Sequence, residues 1–221
     1  MRINRFIAQA SGLSRRAADT AIENGRVLVG GQRPSPGYDV HRADVVTLDG
    51  QPLTASKTTT IMLNKPVGYV CSREGQGSKT VYELLPPELH HLKPVGRLDK
   101  DSSGLLLLTN DGQLAQTLTH PKFEKIKKYK IALNKDLTEA DFEKITKTGV
   151  QLPDGLSEFA LDAINTQHKE WKVSMREGRN RQIRRTFEHL GYSVVKLHRT
   201  HFGSYSLLTA RLTLGKFTEL Y

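Results

Sequence analysis

Apolar residues recur at helical spacing at the start of the chain, where Ile3, Phe6, Ile7 and Ala10 share one face. Gly12 breaks that pattern, and Ser14 can cap a second helix, RRAADTAIEN, that stops at Gly25. Arg26–Val29 then reads as a strand, Gly30-Gly31 as a tight turn, and Asp44–Leu48 as a strand closed by Asp49-Gly50. A polar, threonine-rich stretch without periodicity follows, and Thr60–Leu63 starts a new strand that runs into Asn64-Lys65-Pro66-Val67-Gly68. Leu105–Leu108 reads as a fully buried strand that ends in an Asp111-Gly112 turn. Thr138 can cap a helix reaching Thr148, with Gly149 as its stop. Asn180 starts another, RQIRRTFEHL, stopped by Gly191. Its apolar stripe is Ile183, Phe187 and Leu190; Arg181, Arg185 and Glu188 face away, and Arg184 sits on the flank, where a side chain can reach a cleft. Strand-like runs at Tyr129–Leu133, Trp171–Met175 and Tyr192–Leu197 surround these helices without regular alternation. The pattern predicts an α+β fold with a mostly antiparallel sheet.

The change of texture divides the chain into a small domain over 1–51, a linker over 52–59 and a larger domain over 60–221. The 221 residues are ample for a real core. The four leucines at 105–108 form the longest apolar block, far too short for a bilayer, so neither a signal peptide nor a membrane span is expected. The single cysteine, Cys71, fits a reducing cytoplasm. Charge adds a partner class. Lys and Arg number 33 against 23 Asp and Glu, a net charge of +10, which points to a polyanion: nucleic acid or an acidic membrane surface. Much of the excess is local. Lys122–Lys130 holds five lysines and one acid, Glu124. Arg176–Arg199 holds Arg176, Arg179, Arg181, Arg184 and Arg185, then Lys196 and Arg199, against Glu177 and Glu188. Solvated faces usually mix signs, and the planar guanidinium suits phosphate. Arg15 and Arg16 stand in the first turn of a helix, where the macrodipole disfavours cations by about 0.3–1 kcal/mol each. A phosphate backbone at that end explains them; the alternative is that both point into water.

The strongest candidate for chemistry is GRLDKDSSG at 96–104, a polar loop with Asp99 and Asp101 that feeds the leucine strand. An Asp-x-Asp pair could hold magnesium, as in nucleases, although Arg97 and Lys100 lie beside it. Either acid could also be an Asx-turn residue. His198-x-x-His201 without cysteine partners is a weak zinc signal, and no Walker, dinucleotide-binding or GxSxG string is present.

The string GRLDKDSSGLLLLTNDG at 96–112 closely resembles the catalytic motif of pseudouridine synthases, specifically the ribosomal small-subunit synthase A type with its related large-subunit enzymes. LNKPVGYV at 63–70, KKYKI at 127–131 and EGRNRQIRRTFEHLGYSVVKLHR at 177–199 agree with that family in order and spacing. Residues 2–32 resemble the αL RNA-binding domain named after small-subunit ribosomal protein four. The resemblance covers nearly the whole chain. It implies isomerisation of a uridine in RNA, most directly ribosomal RNA, free or in an assembling subunit, with no metal and no organic cofactor, by a cytoplasmic monomer. It implies Asp99 as the essential aspartate, Tyr129 as the residue that stacks on the target base, and Arg184 as the arginine paired with Asp99. Arg15, Arg16, Lys65, Arg97, Lys128, Arg179, Arg181 and Arg185 are the expected RNA contacts. A non-catalytic RNA-binding or ribosome-assembly protein on the same scaffold is the alternative.

Overall fold

The computed structural model describes residues 1–54, 57–165 and 168–220. The chain separates into two compact units with the boundary between Thr58 and Thr59.

In the first unit, helix α1 (Ile3–Ser11) ends at Gly12, which takes the left-handed conformation at φ 77°. Helix α2 (Arg15–Glu23) starts where Ser14 Oγ accepts a hydrogen bond from the Ala17 amide. A small antiparallel sheet follows: β1 (Val27–Val29), β2 (Val46–Leu48) and β3 (Gln51–Pro52). Ile3 and Ile7 pack against Ala18, Ala21, Val27 and Val46 in a compact core. Pro52 therefore lies in a strand, opposite Thr47, instead of opening a linker, and the Leu53 amide bonds to Val46 O. Ala55 and Ser56 of the expected linker lie outside the described residues.

The second unit is built on a sheet that holds nine strands among the described residues. They are β4 (Thr60–Lys65), β5 (Lys93–Pro94), β6 (Ser103–Thr109), β7 (Lys127–Leu133), β10 (Ala160–Ala163), β11 (Glu170–Met175), β12 (Val194–Phe202), β13 (Tyr205–Ser206) and β14 (Phe217–Leu220); β8 (Val150–Leu152) and β9 (Gly155–Ser157) form a separate hairpin. The order is β10-β11-β7-β12-β6-β4-β14, with β13 on β12 and β5 on β6; β6 with β12 is the parallel pair. The fold is α+β. The leucine run is central for a reason visible in its alternation: Leu106 and Leu108 pack with Ile61 and Leu63 on one face, Leu105 and Leu107 with Met62 and Phe202 on the other.

Two helix boundaries differ from the sequence pattern. Asp111-Gly112 is no turn. Asp111 Oδ1 accepts from the amides of Gln113 and Leu114 and caps helix α3 (Gly112–Thr119). The helix capped by Thr138, α4 (Glu139–Glu143), passes into a π-helical turn over Lys144–Thr148 before Gly149. Helix α5 (Gln182–His189) buries Ile183 and Phe187 as expected, and a short α6 (Leu207–Ala210) follows β13.

The entry to β6 is tight. Gly104 has φ 112° and pairs with Arg199 across the parallel contact, where a Cβ would overlap the Arg199 backbone. Only glycine lets β6 approach β12 so closely at the point where the GRLDKDSS loop enters the sheet.

Candidate active site

That loop is pinned from beneath by Lys65, the last residue of β4. Its side chain is 0% exposed. Its ammonium donates to three backbone carbonyls: Ser102 O at 2.7 Å, Pro66 O at 3.0 Å and Asp99 O at 3.1 Å. Three donors meet three acceptors, so the buried ammonium is fully satisfied. Burial pushes its pKa down, against the opposing pull of Cys71, Asp101 and Asp99. Lys65 cannot reach a phosphate, and its expected role as an RNA contact is corrected here: it is a clamp inside the loop. Leu98 is held from another side by Cys71, whose thiol donates to Leu98 O and whose sulfur accepts from the Leu98 amide.

Across the loop stands the start of α5. Arg181 caps it in the left-handed conformation at φ 47°, rare for a side chain of this size. This conformation turns its guanidinium toward the acids instead of away from the core, as the helical pattern predicts. Arg181 makes a two-pronged contact with Asp101, at 3.1 and 3.0 Å, and touches Asp99 Oδ2 at 3.5 Å. Arg184, three residues on, donates to Val194 O at 2.6 Å and Asp101 O at 2.9 Å. Its Nε lies 3.3 Å from Asp101 Oδ2 but is not aligned for a hydrogen bond. The expected Arg184–Asp99 pair is therefore corrected. Among the described residues, the cation within ion-pair distance of Asp99 is Arg181, and Arg184 pairs with Asp101. Asp99 is left one-third exposed, with a carboxylate that an incoming group can reach.

Asp101 collects the positive charge. Burial raises its carboxyl pKa, but hydrogen bonding by Arg181 and the charges of Arg184 and Arg181 outweigh this and hold it below the usual range. A carboxyl depressed in the folded state stabilises it above the ordinary aspartate value of about 4, and that contribution is lost as pH falls through the lowered value. Asp101→Asn should flatten the acid limb of the stability–pH curve in urea titrations. An unchanged limb would show that the cluster adds nothing.

Tyr129, on β7 opposite Val173 and Arg199, is 7% exposed and forms part of the same cleft as Asp99 and Arg184. The cleft has a volume of about 310 Å³, with Met175, Ile183 and Leu197 as apolar wall. This is the small end of the range for ligand pockets, about 300–1,000 Å³. The three residues expected to carry the chemistry thus meet in one place, although they lie far apart in the chain.

The expected RNA contacts fare unevenly. Arg97 is exposed at the rim of the cleft. Arg15 and Arg16 are exposed in the first turn of α2, with Arg15 reaching Asn4 at 3.4 Å. Lys128 is exposed but alternates with Tyr129 along β7, so its side chain stands on the other sheet face and lines neither the cleft nor the neighbouring groove. Arg179 is spent internally: it donates to Asp154 O, Gly155 O and Leu156 O at 2.8–3.0 Å and tethers the β8–β9 hairpin. Arg185 makes a two-pronged contact with Asp154 at 3.0 and 2.7 Å. Arg179 and Arg185 hold the fold together, and Arg181 holds the acids; the terminal nitrogens of all three are engaged by protein acceptors. The sequence reading misses Lys127 and Arg199, which line the groove beside Tyr129. The β12 register shifts between Arg199 and His201, so simple alternation does not reveal that Arg199 points inward. His198, whose pKa burial lowers, bonds to Ser103 Oγ at 2.9 Å. Among the described residues no group of three His, Cys, Asp or Glu could hold a metal ion, and no helix is long and apolar enough to cross a membrane.

Comparison with known proteins matches this architecture. Residues 59–189 match the family model described as RNA pseudouridylate synthase, and residues 1–46 match the S4 domain. A protein of Xylella fastidiosa named ribosomal large subunit pseudouridine synthase B is 38% identical over 99% of this chain and 48% of its own length. The chain thus spans about half of that relative. The dual-specificity RNA pseudouridine synthase RluF of Escherichia coli K12 is 34% identical over the whole chain and 75% of its own length. A crystal structure described as pseudouridylate synthase superposes with a TM-score of 0.70 at 30% identity, covering 100% of this chain and 96% of that one.

Proposed function

Because the chain belongs to the RNA pseudouridylate synthase family, we propose that it isomerises a uridine in ribosomal RNA to pseudouridine, with Asp99 acting at the sugar of the target nucleotide. The observation that carries this reading is the meeting of Asp99, Tyr129 and two arginines in one cleft of about 310 Å³. The reaction is balanced without any co-reactant. The bond from C1′ to N1 breaks, a bond from C1′ to C5 forms, and the proton lost from C5 is matched by one gained at N1.

The parts divide the work. A uridine in folded RNA must leave its stack at a cost of about a few kcal/mol. The Tyr129 ring returns about 1–3 kcal/mol by stacking on the base. Asp99 presents a reachable carboxylate that can attack C1′ or remove a ribose proton. Arg181, bound to Asp101 and touching Asp99, holds that carboxylate in place while Arg184 braces the loop through Asp101 O. Arg97 at the rim meets the RNA backbone. The first unit, with Arg15 and Arg16 exposed at the start of α2, captures RNA through phosphate contacts. The named relatives make large-subunit ribosomal RNA the first substrate to try, in the cytoplasm.

The test is conversion in vitro. Purified protein incubated with unmodified ribosomal RNA should yield pseudouridine, read by nucleoside chromatography after digestion; absence of the product from both subunit RNAs counts against the reading. Replacing Arg15 and Arg16 together by alanine should weaken RNA binding and make log Kd less steep against log salt by about 1–2 units, at roughly 0.9 per phosphate contact. An unchanged slope returns both arginines to a merely solvated face.

A further inference from the structure

Beside the cleft runs a second hollow of about 780 Å³ that shares Gly96, Arg97, Tyr129 and Met175 with it. Arg199 and Lys127 line it, and neither lines the cleft that holds Asp99. Arg199 is 3% exposed, yet among the described residues its guanidinium has one acceptor, Leu105 O, reached by Nε at 2.8 Å. Its Nη2 is buried without a hydrogen-bond partner. No carboxylate lies within ion-pair distance of Arg199 or Lys127 among the described residues. Both cations instead approach the Phe202 ring, Arg199 at 4.8 Å and Lys127 at 5.6 Å from its centroid. Lys127 Nζ donates to Arg176 O at 3.1 Å.

Two cations set side by side, one buried with an idle donor, have a cost that proteins accept where an anion will fill the gap. Burial, and then the charge of Arg199, pushes the Lys127 ammonium down, with Glu177 opposing. The acids around the hollow are otherwise engaged in part: Glu124 pairs with Arg176 at 3.2 Å and Glu177 with Arg179 and Gln182, while Glu158 is exposed. The alternation of β7 sets Lys127 and Tyr129 on one sheet face, so a group held by Lys127 lies next to a base stacked on Tyr129.

We propose that Arg199 and Lys127 form a phosphodiester site that grips the RNA backbone immediately beside the uridine in the cleft. The proposal rests on RNA being the substrate and adds a fixed anchor for the strand. A phosphate here sets the register of the strand, so that one nucleotide, and not its neighbour, faces Asp99. Diffuse surface cations cannot supply this, because they act on any phosphate alike.

Fluorescence anisotropy of the full chain with a labelled oligoadenylate that carries one central uridine tests this. Each linkage flanking the uridine is replaced singly by an uncharged methylphosphonate. Wild type should lose about tenfold in affinity at one linkage, the size expected for one charge-assisted contact. Arg199→Gln should lose a similar factor on the all-phosphate strand and then be indifferent to that replacement. Lys127→Gln, at a half-buried position, carries the same test if Arg199→Gln fails to fold. The proposal is overturned if both folded variants bind like wild type, if they stay as sensitive to the neutral linkage, or if an oligoadenylate without uridine gives the same positional profile. Chromatography of ribosomal RNA treated with wild type keeps the two readings apart. A linkage effect without pseudouridine overturns the activity and leaves the phosphate site; pseudouridine without a linkage effect does the reverse.

Discussion

Asp99→Asn is expected to abolish pseudouridine formation, by about 10⁴-fold or more in kcat, while RNA affinity stays near that of wild type. The substitution keeps size and hydrogen-bonding shape, so little of the loop needs to move. Among the described residues the carboxylate makes one long contact, 3.5 Å to Arg181, so its side chain contributes little to holding the fold. Its backbone carbonyl, held by Lys65 at 3.1 Å, is untouched. What disappears is a charged oxygen able to act at C1′ or C2′ of the sugar, and among the described residues no other carboxylate lines the cleft. Asp101 is the nearest in sequence, and its oxygens are taken up by Arg181 and Arg184. Asp101→Asn should therefore leave measurable turnover. Equal, complete loss in both variants would mean that the assignment of the two acids is wrong.

Lys65→Met should cost about 3 kcal/mol or more of stability in urea titration and reduce kcat, with Kd for RNA and its salt dependence unchanged. Methionine fills a similar volume, so no large cavity is made. Three buried carbonyls lose their donor, and each such orphan costs about 1–3 kcal/mol. Removing a desolvated ammonium recovers part of that cost. The loop with Asp99 and Ser102 then loosens just where the carboxylate must be held within a fraction of an ångström. If Lys65 touched RNA instead, the result would invert: stability would change little, and affinity and salt slope would fall.

The contrast between these residues shows what the chain makes legible. Local chemistry is readable. Ser14 and Thr138 cap the helices they were expected to cap, and the leucines at 105–108 lie in a strand buried on both faces. The residues of the cleft are readable because their strings are long and specific. Pairings across the fold are not. Lys65 meets the Asp99 carbonyl 34 positions away, and Arg181 and Arg184 meet Asp101 from 80 and 83 positions away. Nothing in a helical wheel indicates that Arg181 takes a left-handed conformation and so turns inward. Basic charge also misleads in a specific way. Arg179 and Arg185 read as phosphate ligands, but carbonyls and Asp154 on the β8–β9 hairpin claim them first. Net charge does not say which cations the fold claims for itself, and Lys127 and Arg199 line their hollow because strand register and a bulge put them there.

The proposed activity gives Asp99 one kind of target, a uridine of ribosomal RNA. Base-resolution pseudouridine mapping of total RNA in cells with the protein, without it, and restored with either wild type or Asp99→Asn tests it most directly. A ribosomal RNA pseudouridine should vanish without the protein, return with wild type and stay absent with Asp99→Asn. An unchanged ribosomal pseudouridine map, or full restoration by Asp99→Asn, would contradict it.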